Sequence, residues 1–490
     1  MNNKVQLIAY VDRFGGGDIE QLQSLVKNDL KGIFDTIHLL PYFYPIDGKD
    51  AGFDPIDHKT VDERLGNWKN IKELSKKINI VSDLIVNHIS SNSLEFKDFL
   101  ENGKNSRYRT LFLTPKNVFK EGIESSSIEK IFRPRPGLPF STYTSADGSQ
   151  QSLWTTFSDA QIDIDVRSNQ GEKYLDQIIK IFRESGISLI RLDAVGYAIK
   201  KAGTSCFMID ETFEFITTLS KKIHDSNMQS LVEIHDHYLT QIKVAKLVDY
   251  VYDFCLPTLV LDAMFNDNAS SLKNWYKISP RNAITVLDTH DGIGIVDVGP
   301  KDNKPGLIDD ASLDAIVKQI HKNSNNESAK ATGTAASNLD IYQINCTYYD
   351  ALGKNNLDYL IARAVQFFSP GIPQVYYVGF LAGENDMDLL QKSSVGRDIN
   401  RRYYSLENIR VELNKEIVQD LIKLIRFRNT HPAFDGAFSV INTPNHELGI
   451  QWKYEEHKAV LHVDLLNRSL SINFTERNEI CELTFKSIYN

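Results

Sequence analysis

Eight short runs rich in aliphatic and β-branched residues punctuate this chain, at 5–9, 36–40, 80–86, 188–192, 231–234, 250–254, 283–287 and 372–377. Amphipathic stretches stand between them, at 19–30, 68–78, 172–185, 211–223 and 357–368. Strands alternating with helices build parallel βαβ units, and eight such units favour a closed barrel over an open sheet. The expected fold class is α/β, a (β/α)8 TIM-type barrel. Length allows it, since 490 residues exceed the roughly 250 of a bare barrel and leave room for insertions and an appendage.

Two stretches break the alternation. Residues 91–165 are Ser-, Pro- and Gly-rich and weakly periodic, and 292–352 hold polar loops around one helical pattern at 310–321. Long connections inside a compact domain are usually functional. From about residue 433 the pattern alternates, as in VLHVDLL at 460–466, which predicts antiparallel strands. The expected organisation is a barrel from 1–88, 166–291 and 353–432, with one inserted subdomain at 89–165 and another at 292–352. A small C-terminal antiparallel β domain would span 433–490.

A formal net charge of −9 provides no basic excess for phosphate backbones, which argues against a nucleic-acid partner. Any anionic substrate must then be met by locally placed arginines. Cys206, Cys255, Cys346 and Cys481 are scattered without CxxC spacing, as expected for reduced thiols and no metal cluster. The opening residues are too short in apolar character for a secretory signal, and no stretch is long enough to span a membrane. A cytoplasmic location is expected.

Three of the apolar runs lead into acidic residues: Asp193 after ISLIRL, Glu233 after SLV and Asp291 after AITVLDTH. A carboxylate closing a buried strand is costly unless the strand end opens onto a polar site. In a β/α barrel the site lies at the carboxyl ends of the strands. Paired carboxylates are the groups that cleave glycosidic bonds. Taken singly, each acid reads more readily as a helix N-cap and each nearby histidine as a structural one. It is their ordered co-occurrence that points to chemistry.

The order of motifs resembles the α-amylase superfamily of glycoside hydrolases and transglycosylases. Its signatures stand here as DLIVNH at 83–88, IRLDA at 190–194, VEIH at 232–235 and LDTHD at 287–291. Four further stretches resemble its sucrose phosphorylase branch: DAGFDPID at 50–57, RPRPGLPF at 133–140, QIDID at 161–165 and GRDINRRYY at 396–404. The resemblance implies Asp193 as nucleophile, Glu233 as general acid/base and Asp291 as the third carboxylate. It implies sugar contacts from Asp50, His88, His290 and Arg397, an apolar wall of Phe53 and Phe157, and acceptor contacts from Tyr197, His235, Asp340 and Gln343. Arg135 and Tyr342 match phosphate-binding positions, and Phe132 stands where relatives carry a tyrosine. Arg191, two residues before Asp193, should project to the same face of its strand and favour the ionised carboxylate.

The implied activity is retaining, double-displacement glucosyl transfer from sucrose to inorganic phosphate, giving α-glucose 1-phosphate and fructose. No cofactor and no metal is required, and a homodimer is compatible with the resemblance. Alternatives are sister phosphorylases acting on sucrose 6′-phosphate, glucosylglycerol or glucosylglycerate. A sucrose hydrolase or amylosucrase fits the phosphorylase-like stretches less well. From another class, a non-catalytic barrel scaffold is a further alternative, which the three retained carboxylates disfavour.

Overall fold

The computed structural model describes residues 3–48, 50–134, 137–335, 343–477 and 479–487. Eight parallel strands close into a barrel: β1 (Gln6–Ala9), β2 (Thr36–Leu39), β3 (Asn79–Ile85), β4 (Leu189–Asp193), β5 (Gln229–Val232), β6 (Tyr250–Asp253), β7 (Ala283–Thr285) and β8 (Ile372–Tyr376). Closure joins the ends of the series, with Gln6 opposite both Thr36 of β2 and Gln374 of β8. The strands fall on the eight runs expected from sequence. β7 stops at Thr285, two residues short of the expected end. Gln366 Nε2 takes the Thr285 carbonyl, and buried Asp288 turns aside to Arg363 at 2.8 Å, so the chain leaves the sheet there.

Side chains two residues apart share a face of a strand. The interior face is layered accordingly. Its floor is an apolar cluster of its own, built from Val81, Leu189, Leu231, Ile284 and Ile372 among others. One step up sit Asp83, Arg191, Tyr252 and Gln374, all buried, and one step further Asp193 of β4 reaches the rim. The outward faces, such as Ile190, Leu192 and Val232, belong to the main core beneath the helices. The helix Asn169–Glu184 shows why: Ser168 caps it by accepting from Gly171 N, and Tyr174, Leu175, Ile178, Ile179 and Phe182 form its buried stripe.

Between β3 and β4 the chain runs through short helices and a hairpin of Phe140–Thr144 with Gln150–Trp154. It returns as Gln161–Asp163, antiparallel to His88–Ser90. After β7 the expected helix is present as Asp310–Asn323, and a second, Glu327–Ala335, follows it. That segment, ESAKATGTA, has small residues and no apolar stripe, so periodicity does not announce it. At the C-terminal side a five-stranded antiparallel meander runs through β9 (Ala437–Ile441), β10 (Glu447–Tyr454), β11 (His457–Asp464), β12 (Ser469–Glu476) and β13 (Glu479–Glu482). Trp452 anchors it to the barrel by donating Nε1–H to the Phe368 carbonyl at 2.8 Å. No helix among the described residues is long and apolar enough to cross a membrane.

Candidate active site

A cleft of about 680 Å³ opens at the carboxyl ends of the barrel strands and gathers most of the expected side chains. Asp193, Glu233 and Asp291 all line it, although they come from three strand ends nearly a hundred residues apart in sequence. Behind them lies Arg191. Its Nη1 meets Asp193 Oδ1 at 3.0 Å and Asp83 Oδ1 at 2.5 Å, and its Nη2 meets Glu233 Oε1 at 2.8 Å. One guanidinium therefore serves three carboxylates. The expected pairing with Asp193 is present; the contacts to Asp83 and Glu233 are not apparent from strand periodicity.

Arg191 favours the ionised form of Asp193, as expected, but other groups outweigh it. Burial and the neighbouring Glu233 carboxylate push Asp193 well up, and Arg191 only partly offsets them. The two carboxylates share the one Arg191 guanidinium. Immediately after Asp193, Ala194 takes a left-handed conformation with φ +52°, and its N–H lies 3.4 Å from Glu233 Oε2. A non-glycine residue there is strained, and this one ties the end of β4 to Glu233.

Asp291 is handled differently. Burial would raise it, but Arg397 at 2.8 Å and Arg401 at 3.7 Å hold its carboxyl far below the usual range. Gly292 follows it at φ +103°, and a Cβ there would fall 2.3 Å from the Ile344 carbonyl oxygen. Only glycine permits that approach, which packs the post-β7 loop against the returning segment. Arg401 Nε also donates to the His290 carbonyl and Asn400 to that of Thr289, fixing the loop from the segment that carries Arg397.

His290 stacks on Phe53 with ring centroids 4.9 Å apart, and burial keeps its imidazole neutral by pushing it well down. His88, also pushed down by burial, lies 3.1 Å from the Phe53 carbonyl oxygen and meets Phe157 edge-on at 5.2 Å. Asp50 stands 3.7 Å from Arg397 across the cleft. Phe157 in turn packs edge-on against Tyr197, which stacks with Phe132 at 6.2 Å. His235 lies deeper, sandwiched on Phe254 at 3.8 Å, with Nδ1 3.2 Å from Asp297 and Nε2 3.0 Å from the Gln343 amide. Asp297 outweighs burial there and raises the His235 pKa.

Gln343 reaches the cleft because its short strand pairs with Ile293–Gly294. Arg135, Asp340 and Tyr342 lie outside the described residues. Gln161 was missed as a site residue. Its amide lies 3.1 Å from His88 Nε2 and donates to Asp50 Oδ2 at 3.4 Å. The signal was available, because Gln161 opens the QIDID stretch, yet only the antiparallel return beside His88 shows that it enters the cleft. The return is itself pinned, by Lys200 bonded to both Asp163 and Asn87.

Comparison with known proteins identifies the family of the chain. Residues 17–250 match the family model described as Alpha amylase, catalytic domain. The chain is 53% identical over 462 residues to a sucrose phosphorylase of Agrobacterium vitis, spanning 94% of this chain and 95% of that one. It is 48% identical over 464 residues to a sucrose phosphorylase of Bifidobacterium adolescentis, spanning 94% and 92%. A solved structure, the sucrose 6F-phosphate phosphorylase from Thermoanaerobacter thermosaccharolyticum, superposes with a TM-score of 0.91 at 37% identity, over 99% of this chain and 98% of that one. Sequence, barrel and cleft together place the chain in the sucrose phosphorylase family, within the α-amylase group of barrel proteins.

Proposed function

We propose that this chain is a retaining glucosyltransferase that converts sucrose and inorganic phosphate into α-glucose 1-phosphate and fructose. The observation that carries this reading is the carboxylate pair Asp193 and Glu233 on one buried guanidinium, lining one cleft with Asp291. In the first step Glu233 gives its proton to the fructosyl oxygen as the bond to glucosyl C1 breaks. Asp193 attacks C1 from the opposite face and forms a β-glucosyl ester. In the second step the Glu233 carboxylate takes a proton from phosphate. The phosphate oxygen then displaces Asp193 and restores the α configuration.

The first step needs a proton on Glu233 and the second needs Glu233 as a carboxylate, so the proton given to fructose is recovered from phosphate. The permanently ionised Asp291 favours positive charge developing on the ring, and its two arginines keep it ionised while the sugar binds. Neutral His88 and His290 can bond sugar hydroxyls without adding charge. The face of Phe53, stacked on His290, forms the apolar wall.

The reading is tested by incubating the protein with sucrose, with and without phosphate, and assaying glucose 1-phosphate. Phosphate-dependent release is expected. Glucose as the sole sugar product beside fructose would make the protein a hydrolase.

Phosphate arriving at an acidic protein needs a guanidinium, which grips it in bidentate fashion. Arg135 is the proposed ligand, together with Tyr342, from their positions in the sequence. Arg135→Ala should lower phosphorolysis about 10- to 100-fold more than hydrolysis, the span of roughly 1.5–3 kcal/mol for a charge-assisted hydrogen bond. Equal losses in both reactions, measured on one preparation, would make the arginine structural only.

The sister specificity for sucrose 6′-phosphate needs a cation free to meet a second phosphate. Lys301 places its Nζ 5.4 Å above the Phe132 ring, but it is bound to Asp236 at 2.5 Å. Arg133 turns away and donates to the Thr155 carbonyl at 3.2 Å. The remaining acceptor positions, Tyr197, His235, Asp340 and Gln343, include no lysine or arginine, and Asp340 repels an anion. A higher kcat/KM for sucrose than for sucrose 6′-phosphate is therefore expected. The reverse order would transfer the chain to the sister activity.

A further inference from the structure

On the C-terminal meander two opposed strands gather two imidazoles and two carboxylates. Glu447 opens β10 and pairs across the ladder with Asp464, which closes β11. His462 lies two residues before Asp464 and so shares that face of the strand. His446 immediately precedes β10, and its carbonyl accepts from the Leu465 N–H at 2.8 Å. One donor atom from each of His446, Glu447 and Asp464 lies within 4.8 Å of the other two. None of the four residues lines the catalytic cleft.

These donors are held in place by their surroundings. Glu447 has a neighbour at each oxygen: Oε1 stands 3.6 Å from His446 Nε2, and Oε2 stands 2.9 Å from His462 Nε2. Asp464 Oδ1 accepts from the backbone N–H groups of Leu466 and Asn467, each at 3.0 Å. Bonds of this kind behind a ligating carboxylate fix its orientation. All four side chains are half-buried, so an ion can reach them from solvent. Among the described residues no lysine or arginine pairs with Glu447 or Asp464, and Arg468 of the following turn is taken by Asp267 and Asp358. The two neighbouring carboxylates thus have no fixed cation between them.

We propose that His446, Glu447 and Asp464 form a three-ligand site for a divalent transition ion of the zinc class, with His462 bracing Glu447 and a fourth position open to water. An imidazole nitrogen beside two carboxylate oxygens suits zinc, whereas calcium and magnesium take oxygen throughout. Bonds of about 2.0–2.1 Å at tetrahedral angles set the donor atoms about 3.3 Å apart. The 3.6 Å between His446 and Glu447 is already close to that, and small side-chain rotations bring in Asp464. The position of the site gives the ion a consequence. The loop leading to His446 docks on the barrel: the Asn445 carbonyl accepts from the Ala269 N–H at 2.7 Å, and Lys273 donates to the carbonyls of Thr443 and Pro444 at 2.9 and 2.8 Å. A bound ion ties that docking loop to both strands of the β10–β11 hairpin and so braces the seam between meander and barrel.

The test is titration of the full-length chain, first stripped with a chelator, with zinc, followed by calorimetry and by thermal unfolding. One zinc per chain is expected to bind, raising the melting temperature by about 2–3 °C at a hundredfold excess over Kd. His446→Ala and Asp464→Asn should each lose both the bound ion and the rise. Asparagine keeps an oxygen for the two backbone N–H groups, so the turn survives. His462→Ala should weaken binding about 10- to 100-fold, as expected for a residue that only orients a ligand. Calcium at the same concentration should give no rise. No zinc bound, zinc bound equally by wild type and His446→Ala, or an equal rise with calcium overturns the proposal. If Asp464→Asn fails to fold, His446→Ala, at a residue outside the sheet, decides. Every reading is made without sucrose, so it stands whether or not the proposed reaction does.

Discussion

Asp193→Ala or Glu233→Gln should cut sucrose phosphorolysis by on the order of 10⁴-fold or more while leaving the fold intact, because each deletes a group used in both half-reactions. The two losses should differ in kind. Without Asp193 there is no covalent intermediate. Small anions such as azide, supplied to Asp193→Gly, should then attack C1 directly and give a product of inverted, β configuration. Without the Glu233 proton the glucosyl ester should form slowly from sucrose but faster from a glucoside with an acidic leaving group. Near-normal turnover by either folded variant, followed by glucose 1-phosphate release, would remove the substituted residue from the mechanism. A retained, α-configured azide product from Asp193→Gly would remove Asp193 alone.

Arg191→Met should destabilise the protein by about 3–5 kcal/mol, the cost of stripping the cation from buried carboxylates. The effect should depend on pH with a definite sign. In the wild type Asp83 is held at about 2, below its ordinary 3.8. Its contribution is therefore complete above pH 3.8 and is lost as pH falls toward 2. In the variant the same carboxyl lacks its main partner and must be protonated or exposed. The gap between the proteins should be widest near neutral pH and should close in acid. Urea denaturation midpoints at pH 7 and pH 4 measure it. A gap below 1 kcal/mol, or one of equal size at both pH values, would show that Arg191 is dispensable to the interior.

Much of this was legible in the sequence for physical reasons. Barrel strands are short, buried on both faces and strongly apolar, so all eight stand out from the helices between them. The strand-end acids stand out because they interrupt that apolarity. Legibility fails where position depends on partners remote in the chain. Gln161 is unremarkable until the return of the first insertion sets it beside His88, 73 residues away. The reach of Arg191 to Glu233 depends on the neighbouring strand's register, and the pattern along β4 alone fixes only its contact with Asp193. The polar middle layer is concealed for a related reason. Gln6, His38 and Gln374 look like isolated polar residues in three apolar runs, and only closure brings them into one chain.

Closure also dictates when the site can exist. The bond between Gln6 and Gln374 spans 368 positions, and Arg428 holds the Asn3 carbonyl from 425 positions away. During synthesis at roughly 5–20 residues per second, β1 waits about 20–70 s for its partner on the far side. Throughout that interval one edge of a growing parallel sheet is open, with Val5, Leu7 and Ile8 uncovered, which is the form of a nascent chain most prone to pair with another. The same long span keeps the site unassembled on the ribosome, because the last cation to reach Asp291, from the segment at 396–401, leaves the tunnel after β8 itself.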